Sequence, residues 1–377
     1  MQNVFLPKLP IMLNRRMESG LMFTVGISLF YMLQLAFSNQ SGLFSNLVIP
    51  DGVNLHEAST ALVSGLLNAD DLQPGFGAFA FYYPFKWCGM ATYFCMNLFC
   101  LLVIGWRLGF TSIMLFPYFV VAAALPSKDI LVLLMALFFI ISLVNGRLLV
   151  ALLVALLSYF IRDGSLFVLM AIFAAYQINQ RNIIKPYLLV ALAFICGAFI
   201  FVILPDVFGD VFIVSRNLDV YEKNALSLLG NGTSFDYFVR VFGNATNLAF
   251  RPSVIDGNGG ISVVGLVYFI SGISMLTSLF CSVSTIAYSK NKRAVNLSVA
   301  LLVSLAVISI NPFIQGRYLL TFCVVLLGYL INSGGLKNVL KMYFISVVVT
   351  IFAIVAYAYS NIPGTEPNAI IYFTFFS

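Results

Sequence analysis

Residues 127–164 read SKDILVLLMALFFIISLVNGRLLVALLVALLSYFIRDG: two apolar runs joined at Asn145-Gly146-Arg147 and bounded by charge at both outer ends. They read as neighbouring membrane segments, 130–146 and 148–161. A helix crossing a hydrocarbon core needs about 20 residues, so this short hairpin is expected to be tilted or to sit at a shallow depth. Outward from it, further apolar segments fall at 20–37, 88–106, 108–125, 165–180, 186–204, 261–285, 294–310, 319–333 and 342–360. The expectation is an all-α polytopic transmembrane bundle of about eleven spans, one integral membrane domain over 1–377. Two long non-cytoplasmic loops are expected, at about 38–87 and 205–260.

Charge orients these spans. Threading from a cytoplasmic N-terminus puts Lys8, Arg15, Arg16, Arg107, Arg147, Arg181, Lys185, Lys290, Lys292, Arg293, Lys337 and Lys341 inside. That is 12 of the 20 Lys and Arg, accompanied by Glu18 alone of the 14 acids. Cytoplasmic loops carry excess Lys and Arg, so the expected topology is N-terminus in and C-terminus out.

Apolar residues make up 61% of the chain and charged residues 9%, against roughly 45–50% and 25% in soluble domains. No soluble domain of ordinary size fits. The net charge of +6 sits on cytoplasmic turns, where it orients helices and meets anionic lipid; nucleic acid is not an expected partner. The segment after Arg15-Arg16 lacks a small-residue cleavage site and reads as an uncleaved anchor. The six cysteines lie in apolar segments without metal or disulfide spacing and read as small buried hydrophobes. The sequons at Asn231 and Asn244 matter only in a eukaryotic secretory protein.

Both long loops carry helical signals. In Asn54–Leu67, Leu55, Ala58, Ala61, Leu62, Gly65 and Leu66 recur at helical spacing before the aromatic run Phe79–Trp87. This suggests a short interfacial helix held by an aromatic belt. In the second loop, Phe235, Phe238, Val239 and Phe242 follow the i, i+3, i+4, i+7 pattern of one helix face. A loop of that length tends to be functional or disordered, and this pattern argues for order.

Three polar motifs end spans on the outer side: Pro126-Ser127-Lys128-Asp129, Arg162-Asp163-Gly164 and Asn311 to Tyr318. Cations there oppose the charge rule. Lys128, Arg162 and Arg317 are candidates to converge on an anionic group at headgroup depth, joined by Arg216, Arg240 and Arg251 from the loop. Arginine suits the task because its fork pairs two phosphate oxygens at once. The plainer reading is that Lys128–Asp129 and Arg162–Asp163 are interfacial ion pairs, or that the long stems snorkel.

Among the acids, Asp51 and Glu57 flank a helix start, where a partly desolvated carboxylate can act as a general base toward a hydroxyl. Asp51 serves equally well as a helix-initiating residue, and Glu57 is the better placed of the two. His56 is the single histidine; it reads as a proton shuttle or as an ordinary interfacial residue, and a zinc site is not expected. There is no P-loop, nucleophile elbow or H-E-x-x-H motif. The Gly-rich Asp256–Gly260 reads as a turn. Ionisable groups are nearly absent from the spans, unlike those of ion and proton transporters.

An N-in polytopic chain with acids in its first outer loop, a Ser127-Lys128-Asp129 helix start, Arg162-Asp163 after a hairpin and a late Gly316-Arg317-Tyr318 resembles a known group. It is similar to the membrane glycosyltransferases that use polyprenyl-linked sugars, and most of all to the O-antigen and capsule repeat-unit polymerases, the Wzy class. The resemblance implies a reaction at the outer face of a bacterial inner membrane. There, a hydroxyl of one lipid-linked oligosaccharide attacks the anomeric carbon of another and releases polyprenyl pyrophosphate. It implies cations for the pyrophosphate, supplied by Lys128, Arg162, Arg317, Arg216, Arg240 and Arg251. It implies a base, supplied by Glu57, Asp51 or Asp236, and an apolar groove between spans for the lipid. The partners implied are polyprenyl-linked oligosaccharides and membrane lipid, with a chain-length regulator protein left open; no cofactor or metal is expected. The alternatives are a polyprenyl-phosphate-sugar transferase adding one sugar, and a flippase or other transporter. The lack of a histidine in the second long loop argues against the related ligases.

Overall fold

The computed structural model describes residues 11–37, 81–82, 90–123, 127–213, 234–246, 263–310 and 317–360, and among them there is helix and no strand. In chain order the helices are α1 (Ile11–Phe37), α2 (Met90–Leu108), α3 (Phe110–Met114), α4 (Pro117–Ala122), α5 (Lys128–Val144), α6 (Leu148–Ile161) and α7 (Asp163–Gln180). They continue as α8 (Pro186–Ile213), α9 (Ser234–Thr246), α10 (Val263–Tyr288), α11 (Lys292–Ile308), α12 (Arg317–Leu330) and α13 (Leu336–Ser360). Each expected apolar segment corresponds to a helix, with one exception.

That exception is 108–125, expected as a single span. It is two short helices, because Gly109 takes φ 87° and Pro117 opens α4 after a non-helical Phe116 (φ −122°, ψ 73°). The residue before a proline is pushed out of the helical region, and proline at the first helical position fits without strain. The freed backbone finds partners on α10: Tyr118 N–H donates to Ser271 Oγ at 3.1 Å, and the Ser274 hydroxyl donates to the Leu115 carbonyl. Non-helical backbone at membrane depth is tolerated only where such partners are buried with it.

Polar side chains lie inside this bundle and large apolar ones outside. Ser271, Ser274, Thr277, Ser278 and Ser282 of α10 are buried, and Thr277 Oγ1 donates to Ser346 Oγ of α13 at 3.1 Å. Leu149, Leu153 and Phe160 of α6, Ile195 and Phe199 of α8, and Phe344 and Phe352 of α13 are exposed. Small hydroxylated residues at helix contacts, with an apolar exterior, suit a bilayer rather than water. Among the described residues, three stretches are long and apolar enough to cross a membrane: Pro186–Ile203, Gly265–Tyr288 and Tyr318–Phe352.

The last of these reverses at Gly334, which takes a non-helical φ of 90° in the junction Ile331–Gly335 between α12 and α13. Ser346, ten residues beyond Leu336, meets Thr277, eleven residues before Tyr288, so α13 returns alongside α10. Contacts of this kind sort the helix ends into two sets. Asn332 Nδ2 donates to Leu108 O at 2.8 Å, and Asn179 Nδ2 to Asn296 Oδ1 at 2.7 Å. Those contacts gather the turns that carry Arg107, Arg181, Lys185, Lys290, Lys292, Arg293 and Lys337 at one end. The opposite end gathers the start of α5, the α6–α7 junction, the end of α11 and the start of α12.

Candidate functional site

At that opposite end the α5–α6 hairpin brings two charges together. Asp129 lies 16 residues before Asn145 and Arg162 lies 16 residues after Gly146 (145 − 129 and 162 − 146), so the folded hairpin places them side by side. They form an ion pair between Arg162 Nη1 and Asp129 Oδ1, and both residues are buried. The pairing thus runs between helices, from the start of α5 to the α6–α7 junction.

Each partner is held from its own side. Ser127 caps α5, accepting from Ile130 N–H at 3.4 Å, and this puts Asp129 in the first turn, where the helix dipole favours a carboxylate. The Tyr118 hydroxyl, delivered by α4, donates to Asp129 Oδ2. Arg162 adopts an extended backbone between α6 and α7, so its own side chain marks the break between the two helices. Its guanidinium lies over the Tyr318 ring, 4.4 Å from the centroid. Tyr318 reaches that position because residue 164 is glycine: a Cβ there would sit 2.5 Å from the ring. The Ser165 hydroxyl, in the first turn of α7, is buried without a hydrogen-bond partner.

A second layer fixes the α4–α5 connection. Asn97 of α2 donates through Nδ2 to Ala123 O at 3.1 Å. Tyr82 donates to Asn97 Oδ1 and reaches Ser127 O at 3.3 Å. Burial holds the Tyr82 phenol well above its ordinary pKa range, so it remains a donor. Tyr82, from the aromatic run Phe79–Trp87, is buried and acts as a polar tie.

Of the expected pyrophosphate ligands, Lys128, Arg162 and Arg317 are gathered at this end. Lys128 is the first residue of α5 and is half-buried, and Arg317 opens α12 beside Tyr318. Arg240 and Asp236 lie on α9, which packs against α8, α10 and α11. Arg216, Arg251, Glu57, Asp51 and His56 lie outside the described residues, as does the expected helix at Asn54–Leu67. Among the described residues no group of three or more His, Cys, Asp or Glu is placed to hold a metal.

The sequence gives no role to Tyr118, names Gly164 and Tyr318 only as motif members, and offers Lys128 rather than Arg162 as the partner of Asp129. The equal arms of the hairpin are the signal that pairs Asp129 with Arg162. Tyr118 carried no such signal, because its position depends on the break before Pro117.

Fold and site together define a helical membrane protein with a buried, aromatic-flanked ion pair at one end of its bundle. No protein-family model, curated protein or solved structure matches this chain.

Proposed function

We propose that this chain is a polymerase that joins polyprenyl-pyrophosphate-linked oligosaccharide repeat units into a cell-surface polysaccharide. In this reading about eleven spans cross a bacterial inner membrane, with the N-terminus inside and the site end at the outer face. One observation carries the proposal. Lys128, Arg162 and Arg317 come from three separate chain segments, and all three stand at the end opposite the cation-rich turns. Cations kept on that side against the charge rule call for an anion to hold.

The chemistry divides among these groups. An acceptor sugar hydroxyl attacks the anomeric carbon of the donor repeat unit. A new C–O bond forms, the C–O bond to pyrophosphate breaks, and the hydroxyl proton goes to a carboxylate base: Glu57, Asp51 or Asp236. Asp129 offsets the charge of Arg162, so the net positive field for the leaving pyrophosphate comes from Lys128 and Arg317. Arg162 adds N–H donors in a fixed plane, because the carboxylate on one edge and the Tyr318 ring on one face leave it no other orientation. The apolar outer faces of α6 and α8 are suited to the polyprenyl tail.

The experiment is a gel of surface polysaccharide from a strain deleted for this gene. The expected result is collapse of a long ladder to a single repeat unit, restored by the wild-type gene. A retained ladder with altered sugar content contradicts the proposal and points to a single-sugar transferase. Complete loss with lipid-linked units trapped inside points to a flippase.

A further inference from the structure

Helix α9 has one face in the bundle. The Tyr237 hydroxyl donates to Ala306 O of α11 at 3.0 Å, and its ring meets Phe201 of α8 at 6.0 Å between centroids. The fit requires Gly197, where a Cβ would lie 2.2 Å from the phenol oxygen. Asn244 Nδ2 donates to Ser309 Oγ at 3.2 Å, at the end of α11. At 3.6 residues per turn, Phe238 and Phe242 lie about 100° and 140° round the helix from Tyr237, and they are 49% and 54% exposed. The same register puts positions 236 and 240, an aspartate and an arginine, on the opposite flank.

Depth decides what covers the phenylalanines. Ala306 and Ser309 belong to the last turn of α11 and its end, and Phe201 lies just before Pro205-Asp206, where the charge-free apolar run of α8 ends. Helix α9 therefore lies where spans end and acyl chains give way to headgroups. It packs on the least covered of the three long spans, of which 22% is buried, so the surface beside it is already apolar and outward-facing. A helix with aromatics on one flank and charge on the other, lying at this depth, has the layout of an in-plane membrane helix.

We infer that α9 is an in-plane helix whose Phe238–Phe242 flank is embedded in phospholipid acyl chains of the leaflet at the site end. Its opposite flank then carries Asp236 and Arg240 at headgroup level. This requires the bundle to sit in a bilayer and is independent of any reaction it catalyses.

The test is site-specific photocrosslinking of the full-length protein in native membranes, with Phe238→p-benzoylphenylalanine, Phe242→p-benzoylphenylalanine and Arg240→p-benzoylphenylalanine read by mass spectrometry. Phe199→p-benzoylphenylalanine on exposed α8 serves as the lipid-facing reference. The expected result is phospholipid adducts at 238 and 242 in a yield like that at 199, and severalfold fewer at 240. Crosslinks at 238 and 242 to a second copy of the chain or to another protein overturn the inference. So do equal lipid yields at 240, or no adducts at 238 and 242 while 199 reacts. A variant that fails to enter the membrane is replaced by Phe242→Trp with brominated phospholipid. Strong quenching beyond that of the wild-type tryptophans is then expected, and its absence is equally contrary.

Discussion

Arg162 is the residue on which the site turns. Breaking a buried ion pair by removing one partner costs about 3–5 kcal/mol, because the other charge is left uncompensated. Asp129→Asn is therefore expected to lower stability by about that amount in thermal unfolding of the detergent-solubilised protein. Combining it with Arg162→Gln removes both charges and is expected to recover most of the loss. Polysaccharide chain length separates structure from function: the double variant is expected to be stable and inactive. A stable double variant with wild-type ladders would make the pair structural only. Arg162→Lys is expected to abolish long chains as well, since a point charge cannot reproduce a planar fork stacked on Tyr318. Arg162 was legible in the sequence because it opposes the charge rule. Asp129 was visible only as part of a motif, and its partner emerges when the hairpin is closed at Asn145–Arg147.

Among the elements, the broken segment between α2 and α5 carries the most structural information. Hydropathy reads 108–125 as one span because hydropathy is blind to φ angles; Gly109 and the Phe116–Pro117 step break it. The break turns Tyr118 toward Asp129 and leaves backbone groups that Ser271 and Ser274 satisfy. A buried donor or acceptor left without its partner costs about 1–3 kcal/mol. Ser271→Ala with Ser274→Ala is thus expected to destabilise the protein by about 2–6 kcal/mol in thermal unfolding. Ser304→Ala removes a bond to its own helix, at Ala300 O, and is expected to do much less. Equal small effects would mean that the break is not held by α10. Helix α9 shows the converse limit of sequence reading. The Phe spacing located the helix correctly, yet the face packed on the bundle is Tyr237, Val241 and Ala245. In water the most apolar face turns inward; beside a bilayer it has a second place to go.

For the whole molecule, the positions of the helices and the separation of their ends were legible because both follow from apolar length and charge placement. Which side chains meet across those ends was not, since that depends on breaks at Gly109, Pro117, Arg162 and Gly334. The proposed activity is the joining of lipid-linked repeat units at the site end. Its most direct test is the purified protein in phospholipid nanodiscs supplied with a polyprenyl-pyrophosphate-linked repeat unit, with product length and released polyprenyl pyrophosphate measured together. The expected result is chains of many repeats, with one polyprenyl pyrophosphate released for each linkage formed. Intact repeat units with no chain growth, or transfer of one sugar at a time, would contradict it.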